Sequence, residues 1–277
     1  MLERSAAETG SRAFADKRVA HSRLVNVELW WRMAYRRKVA SVFRTVPLYR
    51  EEWALSGRTD PVVVPGRTGV HSGAIQKDEA LRRLVDLVPL AGGTALGETL
   101  RGLGPALEAR FSFGGKGFVT VLDKTGVLPP HDLPRGVTGC VLDLSAGPTE
   151  SAWRALTVAL GRDMPVIAVG TDKELAALVA ELPEERAIRL DAVPRRTVDE
   201  LDAGPYGVLH DSLLGYLGAL RQCGRWHLDW RRVYARETDA GLAVTLLAQR
   251  SPCLVDILVG QATLGRCPRH GTPVVLP

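Results

Sequence analysis

The sequence has 277 residues, of which 45% are hydrophobic and 24% charged, so it is long enough to bury the core of one large or two small domains. Its net charge of +5 is scattered along the chain and forms no stripe with interleaved aromatic residues, which disfavours a nucleic-acid partner. The start lacks the apolar stretch of a secretory signal, and no run approaches the ~20 apolar residues of a membrane span, so we expect a cytoplasmic protein without a membrane partner.

The first third of the chain is predicted to contain helices separated by loops. Residues 21–43 carry apolar side chains at spacings of three and four, which predicts a helix. Residues 56–73 are rich in Gly, Pro and Thr, and we expect a loop with at most one short strand. Residues 77–87 predict an amphipathic helix, and residues 91–109 predict a Gly-Gly-Thr turn that leads into another helix.

Strands and helices then alternate. Apolar or alternating stretches predict strands over 118–123, 138–146, 164–170 and 186–193. The segments between the last three predict helices over 148–160 and 171–182, the first of them capped by Thr149. Three strands joined by two helices of this length predict parallel βαβ units and an α/β fold.

The pattern changes after Arg196. Residues 225–236 and 242–248 alternate in polarity around a turn at 237–241, which predicts a β-hairpin. We therefore expect an α/β body over 1–200, with an N-terminal helical segment, and a β-rich subdomain over 201–277.

Two short cysteine–histidine spacings predict a metal site. Cys223 and His227 form a C-x3-H pair, and Cys267 and His270 form a C-x2-H pair, each beside glycine or proline. Zinc takes four Cys or His ligands in pairs from two turns that the fold brings together, and a complete set of four protein ligands is typical of a structural site. The alternative is two free thiols with a half-buried strand histidine at 227.

Several motifs near the C-terminus occur in an order that resembles a known family. They are "YGVLHD" (206–211), "CGRWH" (223–227), "GLAVTLL" (241–247), "LVDILVGQ" (254–261) and "CPRHGTP" (267–273), with "VPLYREEW" (46–53) upstream. In this order they resemble the phenylacetate–CoA ligase branch of the adenylate-forming superfamily, which includes acyl-protein synthetases. The resemblance implies the N-terminal-domain fold of such a ligase, acyl activation, and a zinc ion in the C-terminal region.

The sequence departs from that family where ATP should bind. The stretch "PGRTGVHSG" (65–73) lacks the lysine and most hydroxyls of the family's phosphate loop. Gln261 follows Gly260 where the family has an aspartate, and Leu209-His210 stands in place of a Thr-Glu pair. The sequence ends at Pro277, before the family's further domain with its adenylation lysine. These differences count against ATP and Mg²⁺ as cofactors, and we expect weak or no ATP–pyrophosphate exchange.

Two functions follow from these observations. The first is a shortened acyl-activating enzyme that handles a small carboxylic acid, an acyl-adenylate or an acyl thioester. Its expected acid–base residues are His210 and Asp211, its substrate contacts are Tyr206 and the backbone of Gly92, Gly93 and Thr94, and the alternative for His210 is a capping or loop histidine. The second is a non-catalytic scaffold that binds an acyl ligand, an acidic acyl carrier protein, an enzyme partner or a second copy of the chain. A zinc-stabilised regulatory module is a third possibility.

Overall fold

A computed structural model of the protein describes residues 27–55, 73–124, 127, 129–162, 164–201 and 206–277. Its first helix, α1, occupies residues 27–45 and is followed by α2 over Pro47–Leu55. The prediction of a helix over 21–43 is confirmed for the described residues, with an end two residues later, while 21–26 lie outside them. Most of the predicted loop at 56–73 also lies outside the described residues. The helix α1 buries side chains at the predicted spacing against the largest apolar core, among them Trp31, Tyr35, Val39 and Val42.

Five parallel strands form one half of a nine-stranded sheet. The strands are β1 (Gly117–Leu122), β2 (Val137–Leu142), β3 (Val166–Gly170), β4 (Leu190–Arg196) and β5 (Val208–Asp211). Their order in space is β5-β4-β3-β1-β2. The predicted parallel βαβ units are therefore present, and the sheet reverses its direction of growth between β1 and β3.

Two helices connect these strands as the sequence predicts. The helix α5 (Glu150–Leu160) begins after Thr149, whose hydroxyl accepts a hydrogen bond from the Ala152 N–H. The helix α6 (Asp172–Glu181) begins with a capping box, in which Thr171 and Glu174 satisfy each other's backbone N–H groups. Both helices pack their apolar faces against β1–β3 in one core cluster.

Four segments before residue 200 differ from their predicted bounds. Residues 186–193 were expected to form one strand, but Glu184–Ala187 form a short helix, α7, before β4 begins at Leu190. The strand expected to reach residue 146 ends at Leu142. Of the helical segment expected within 91–109, only Leu103–Glu108 is a helix, α4. The stretch 77–87 folds as α3 (Lys77–Arg82) and a 3-10 helix over Leu84–Leu87.

The other half of the nine-stranded sheet is antiparallel. It adds, next to β5, the strands β6 (Gly215–Leu220), β7 (Trp226–Leu228), β12 (Pro273–Leu276) and β11 (Thr263–Arg266) in that spatial order. A separate three-stranded sheet is formed by β8 (Val233–Thr238), β9 (Gly241–Leu246) and β10 (Ile257–Gly260).

The predicted hairpin is correct for its second strand and wrong for part of its first. The strands β8 and β9 pair around a tight turn, with Thr238 opposite Gly241. Residues 226–228, expected to belong to the same strand as 233–236, instead form β7 of the large sheet. All regular elements among the described residues after 206 are strands, as expected for a β-rich end. The nine-stranded sheet contains strands from both sides of residue 200, and the domain boundary there stays a prediction.

The described helices give no indication of a membrane segment, because none of them is long and apolar enough to cross a bilayer.

Candidate functional site

The four predicted metal ligands lie together at the end of two β-turns. Cys223 lies in the turn between β6 and β7, and His227 lies in β7. Cys267 and His270 lie in the turn between β11 and β12. The two pairs meet because β12 runs beside β7. Both turns contain a glycine in the left-handed region, Gly224 at φ 72° and Gly271 at φ 66°.

The spacing of the four ligand atoms suits a tetrahedral metal ion. The Cys223 sulfur lies 3.0 Å from His227 Nε2 and 3.8 Å from the Cys267 sulfur, and the Cys267 sulfur lies 3.4 Å from His270 Nδ1. All four atoms lie within 4.8 Å of one another. Zinc–sulfur bonds of ~2.3 Å and zinc–nitrogen bonds of ~2.0 Å put tetrahedral ligands about 3.3–3.8 Å apart. The residues present therefore fit a Cys2His2 metal centre.

A second layer of contacts orients His227 toward the centre. Its Nδ1 lies 2.8 Å from the Thr272 hydroxyl. Because Nε2 faces the cysteines, Nδ1 carries the proton and donates it to Thr272, an arrangement that fixes the ring of a metal-bound histidine. Burial, followed by the charge of Arg221, lowers the pKa of His227 to about 4, so the ring is neutral at pH 7, as a ligand must be.

The surroundings of Cys267 also favour metal binding by its sulfur. Burial alone raises the pKa of the Cys267 thiol, but backbone hydrogen bonds from His270 and Arg269, together with the Cys223 contact and the charge of Arg225, lower the pKa overall. A lower thiol pKa favours the thiolate, which is the form that binds metal. The other two cysteines are remote from this centre: Cys140 lies in β2, and Cys253 is buried in the segment before β10.

A second group of polar side chains lies at the carboxyl edge of the parallel strands. Arg195 of β4 donates to Asp123, which directly follows β1, over 2.7 Å, and to Glu174 of α6 over 3.1 Å. It also donates to the Leu122 carbonyl over 2.7 Å. Carboxyl ends of parallel strands are where ligands bind in open α/β sheets. Sequence analysis did not select these residues, although Asp123 has a local signal as an acid directly after a strand.

His210 lies at the same edge, near the end of β5. Its Nε2 lies 3.1 Å from the Thr99 carbonyl oxygen. A carbonyl can only accept, so Nε2 carries the proton and Nδ1 is the basic nitrogen of the ring. Burial, followed by the positive charge of Arg195, lowers the pKa of His210 to about 4. The imidazole is therefore neutral at pH 7 and able to accept a proton.

Asp211 is engaged in contacts that shape the β5–β6 turn. One carboxylate oxygen accepts from the backbone N–H groups of Leu213 and Leu214, over 2.8 and 3.1 Å. The other pairs with Lys77 over 3.1 Å, and the side chain is almost fully buried. These contacts satisfy a carboxylate that would otherwise be costly to bury.

A cavity of about 440 Å³ opens at the point where the sheet reverses direction. Its wall includes Leu122 at the end of β1 with Asp123 after it, Leu142 at the end of β2, and Thr171 and Glu174 at the start of α6. Lys124 and Lys173 add positive charge at its rim. Asp143 lines it as well, so it combines apolar walls with charged groups of both signs, which suits a ligand with an apolar part and a polar end.

The remaining predicted contacts lie apart from His210. Tyr206 precedes β5, so four residues of extended chain, about 13 Å, separate its backbone from that of His210. Its ring lies under the Arg110 guanidinium at 3.9 Å. Gly93 packs against Ser251, whose hydroxyl donates to the Thr94 carbonyl over 2.6 Å, and Gly92 is exposed beside it. The substrate roles of Tyr206, Gly92, Gly93 and Thr94 stay predictions.

The fold resembles that of an acyl-CoA ligase of known structure. No family model matches the sequence, and no curated protein matches it. Two solved structures of 2-hydroxyisobutyryl-CoA ligase share the fold, each over 88% of this chain. One is in a postadenylation state with an acyl-AMP (TM-score 0.61, 13% identity), and the other is an open form with 2-HIB-AMP and CoA (TM-score 0.57, 15% identity).

The match covers only part of each ligase. The chain spans 65% of the length of the first and 72% of the second. At this level of identity the likeness establishes the architecture alone, because function depends on the residues of the site.

Proposed function

We propose that the chain is an acyl-activating-type protein that handles a small carboxylic acid as its acyl-adenylate or acyl thioester. The observation that carries this proposal is the cavity at the carboxyl edge, bordered by Asp123, Lys124 and Lys173 at the reversal point of the parallel sheet. The ligases that share the fold bind an acyl-AMP, and one of them also binds CoA. The relation to phenylacetate–CoA ligases belongs to this proposal.

Within this proposal, His210 and Asp211 have different roles. His210 accepts a proton at Nδ1, since its Nε2–H is directed to the Thr99 carbonyl. Asp211 is a positioning residue, because both of its oxygens hold the turn that follows His210. His210→Ala should lower turnover, whereas Asp211→Asn should lower stability first and turnover only as a consequence.

Activation by ATP is not part of this proposal. The Gln261 amide, which stands where the family has an acid, donates to the Ala240 carbonyl over 2.9 Å. The Gln261 backbone N–H donates to Asp199 over 2.7 Å. A neutral amide engaged in this way does not replace a carboxylate that accepts from two ribose hydroxyls, and losing such a bond costs ~1.5–3 kcal/mol.

The test compares a non-hydrolysable acyl-adenylate analogue, an acyl-sulfamoyl adenosine, with ATP·Mg²⁺ in thermal unfolding. We expect the analogue to raise the Tm and ATP·Mg²⁺ to leave it unchanged. Lys124→Gln should reduce the shift, and His131→Gln, an exposed residue outside the cavity, should not. A Tm shift with ATP·Mg²⁺ together with robust pyrophosphate exchange would show that the reading of the ATP motifs is wrong. No shift with any acyl analogue would remove the acyl-activating proposal.

For the metal centre, we propose one structural Zn²⁺ held by Cys223, His227, Cys267 and His270. The support is the Cys2His2 geometry and the hydrogen bond from His227 to Thr272. Elemental analysis should give one zinc per chain. Cys267→Ser should lose the metal and several kcal/mol of stability, because binding energy in such sites is folding energy, and Cys140→Ser should lose neither. Substoichiometric zinc in protein purified without chelators would exclude this proposal.

A second candidate function is a scaffold for an acidic partner. The outer face of α1 exposes the apolar side chains of Leu29, Trp30 and Met33, followed by Arg36 and Arg37. Exposed apolar residues beside cations suit an acidic acyl carrier protein, and they also suit a second copy of the chain. Titration with a carrier protein should show binding that Arg36→Glu/Arg37→Glu abolishes. Sedimentation of the unmixed protein distinguishes a homodimer.

A further inference from the structure

A second cavity, remote from the carboxyl edge, lies between α4 and the β6–β7 hairpin. It has a volume of about 490 Å³. Its walls come from one side of α4, from the small residues Gly218 and Ala219 of β6, and from the segment 227–231. The strands β5, β4 and β3 lie between β6, which lines this cavity, and β1, which lines the carboxyl-edge cavity. The two cavities are therefore different sites.

The cavity contains a cation with one buried N–H group that has no partner among the described residues. Arg221 lines it, and the Arg221 Nε atom is buried without a hydrogen-bond partner among the described residues. A buried guanidinium N–H without a partner is unfavourable unless something else accepts from it. The backbone of Arg221 is fixed, since its N–H donates to the Arg225 carbonyl and its carbonyl accepts from Gly224.

A second cation and an indole ring complete one wall. Trp230 and Arg231 both line the cavity, and the Arg231 guanidinium carbon lies 5.4 Å from the centroid of the Trp230 ring. Arginine pairs bind phosphate oxygens through several N–H groups at once. A tryptophan ring adds a flat apolar surface on which a planar group can stack.

Two carboxylates at the cavity indicate that the ligand also carries donors. Glu108 and Asp229 line it, and Asp229 Oδ2 lies 3.5 Å from the Arg232 Nε atom. Among the residues that line the cavity, two guanidiniums and two carboxylates balance in charge, which suits a ligand that carries both an anionic group and donors. A carboxylate repels a simple anion but accepts hydrogen bonds from sugar hydroxyls or an amino group.

We propose that this cavity binds a nucleoside phosphate, with the phosphate on Arg221 and Arg231 and the base against Trp230. Glu108 and Asp229 then accept from the ligand's hydroxyl or amino groups. The ligand chemistry is shared by a free nucleotide and by the nucleotide end of coenzyme A. This site is independent of the acyl site proposed at the carboxyl edge.

The experiment is calorimetric titration of the zinc-loaded full chain with adenosine 5′-monophosphate, with coenzyme A and with inorganic phosphate. We expect one binding site for the nucleotide. Arg221→Gln should weaken binding roughly tenfold or more, the effect of one charge-assisted hydrogen bond. Trp230→Leu should weaken it as well. Arg225→Gln is the matched control, because it removes the same charge from the same turn but does not line the cavity. Zinc content, measured on each variant, confirms that the turn is intact.

The outcomes separate this proposal from the acyl site. If coenzyme A binds more tightly than adenosine monophosphate, the ligand of this cavity is coenzyme A. If the two bind equally, the cavity recognises the nucleotide alone. Absence of nucleotide binding, or equal affinity of wild type and Arg221→Gln, would overturn the proposal. Binding abolished by Lys124→Gln but not by Arg221→Gln would place the nucleotide at the carboxyl edge and likewise overturn it. Inorganic phosphate binding as tightly as the nucleotide would exclude a role for the base.

Discussion

The hydroxyl of Tyr35 donates to the carboxylate of Asp256 over 2.7 Å, and this contact joins α1 to the segment that enters β10. Asp256 is fully buried, and the Arg236 guanidinium of β8 donates to both of its oxygens over 3.1 and 3.0 Å. Thr245 of β9 donates to the same carboxylate over 3.3 Å. One carboxylate thus connects the first helix with all three strands of the small sheet.

Removing this carboxylate charge should destabilise the protein. In Asp256→Asn the Arg236 guanidinium stays buried without its counter-charge, which costs ~3–5 kcal/mol. Urea unfolding measures the loss. The control is Asp86→Asn, because Asp86 forms an exposed ion pair with Arg83 and should cost at most about 1 kcal/mol. Equal losses of stability in the two variants would mean that the buried Asp256–Arg236 pair contributes no more than an exposed ion pair.

The hydroxyl of Thr272 should determine how tightly the proposed metal centre binds zinc. Thr272→Val removes the acceptor for the His227 Nδ1–H while keeping the side-chain shape, and such changes typically weaken metal affinity about 10–100-fold. Competition with a fluorescent zinc chelator gives the affinity. Thr263→Val, an exposed change in the neighbouring strand β11, should leave it unaltered. If both variants bind zinc like the wild type, Thr272 does not orient His227.

His210 should make stability fall in acid. Its pKa is about 4 in the folded protein and ~6.5 in the unfolded chain, so only the unfolded chain takes up a proton between these values. Above pH 6.5, neutral His210 contributes roughly 3 kcal/mol to the free energy of unfolding, and this contribution is lost as the pH falls toward 4. Wild type should therefore lose more stability than His210→Gln over this window in urea unfolding at fixed zinc. His131→Gln, at an exposed position, should lose stability with falling pH as the wild type does. If His210→Gln also showed the same dependence of stability on pH as the wild type, His210 would not be buried in its neutral form.

Gly218 should tolerate no side chain. A Cβ at this position would lie 1.9 Å from the His227 carbonyl oxygen, on the facing strand that carries a metal ligand. Backbone on both sides must shift, so Gly218→Ala should cost about 1–3 kcal/mol or more and lower zinc affinity. Gly161→Ala is the control, since its Cβ would meet only ordinary contacts at 3.5 and 3.7 Å. Thermal unfolding and zinc titration of the two variants test this expectation.

Local signals predicted α5, α6 and the convergence of the four candidate metal ligands. Thr149 identified the start of α5 because a cap acts within one turn of its own helix. The candidate metal ligands were also predictable, since each pair lies within a single turn of chain. In the structure, their convergence depends on the pairing of β7 with β12.

Long-range relations were not predictable in the same way. Alternating polarity indicated that 226–228 is a strand but not which sheet it joins. Arg195 and Asp123 are 72 residues apart, and no local pattern connects them. The start of β4 was misplaced because Pro183 begins a short helix that the apolar pattern of 186–193 conceals.

The neighbouring strands β7 and β12 also bracket the stretch in which the chain leaves the large sheet after Leu228 and returns to it at Thr263. Between them the chain makes an excursion over 229–272 that contains the small sheet and β11, and the sulfurs of Cys223 and Cys267 meet across 44 positions of sequence. Loop-closure entropy grows slowly with length, by about 0.6 kcal/mol for each doubling. A segment held at its base in this way can lengthen in a loop outside the strands with little change in the register of the nine strands.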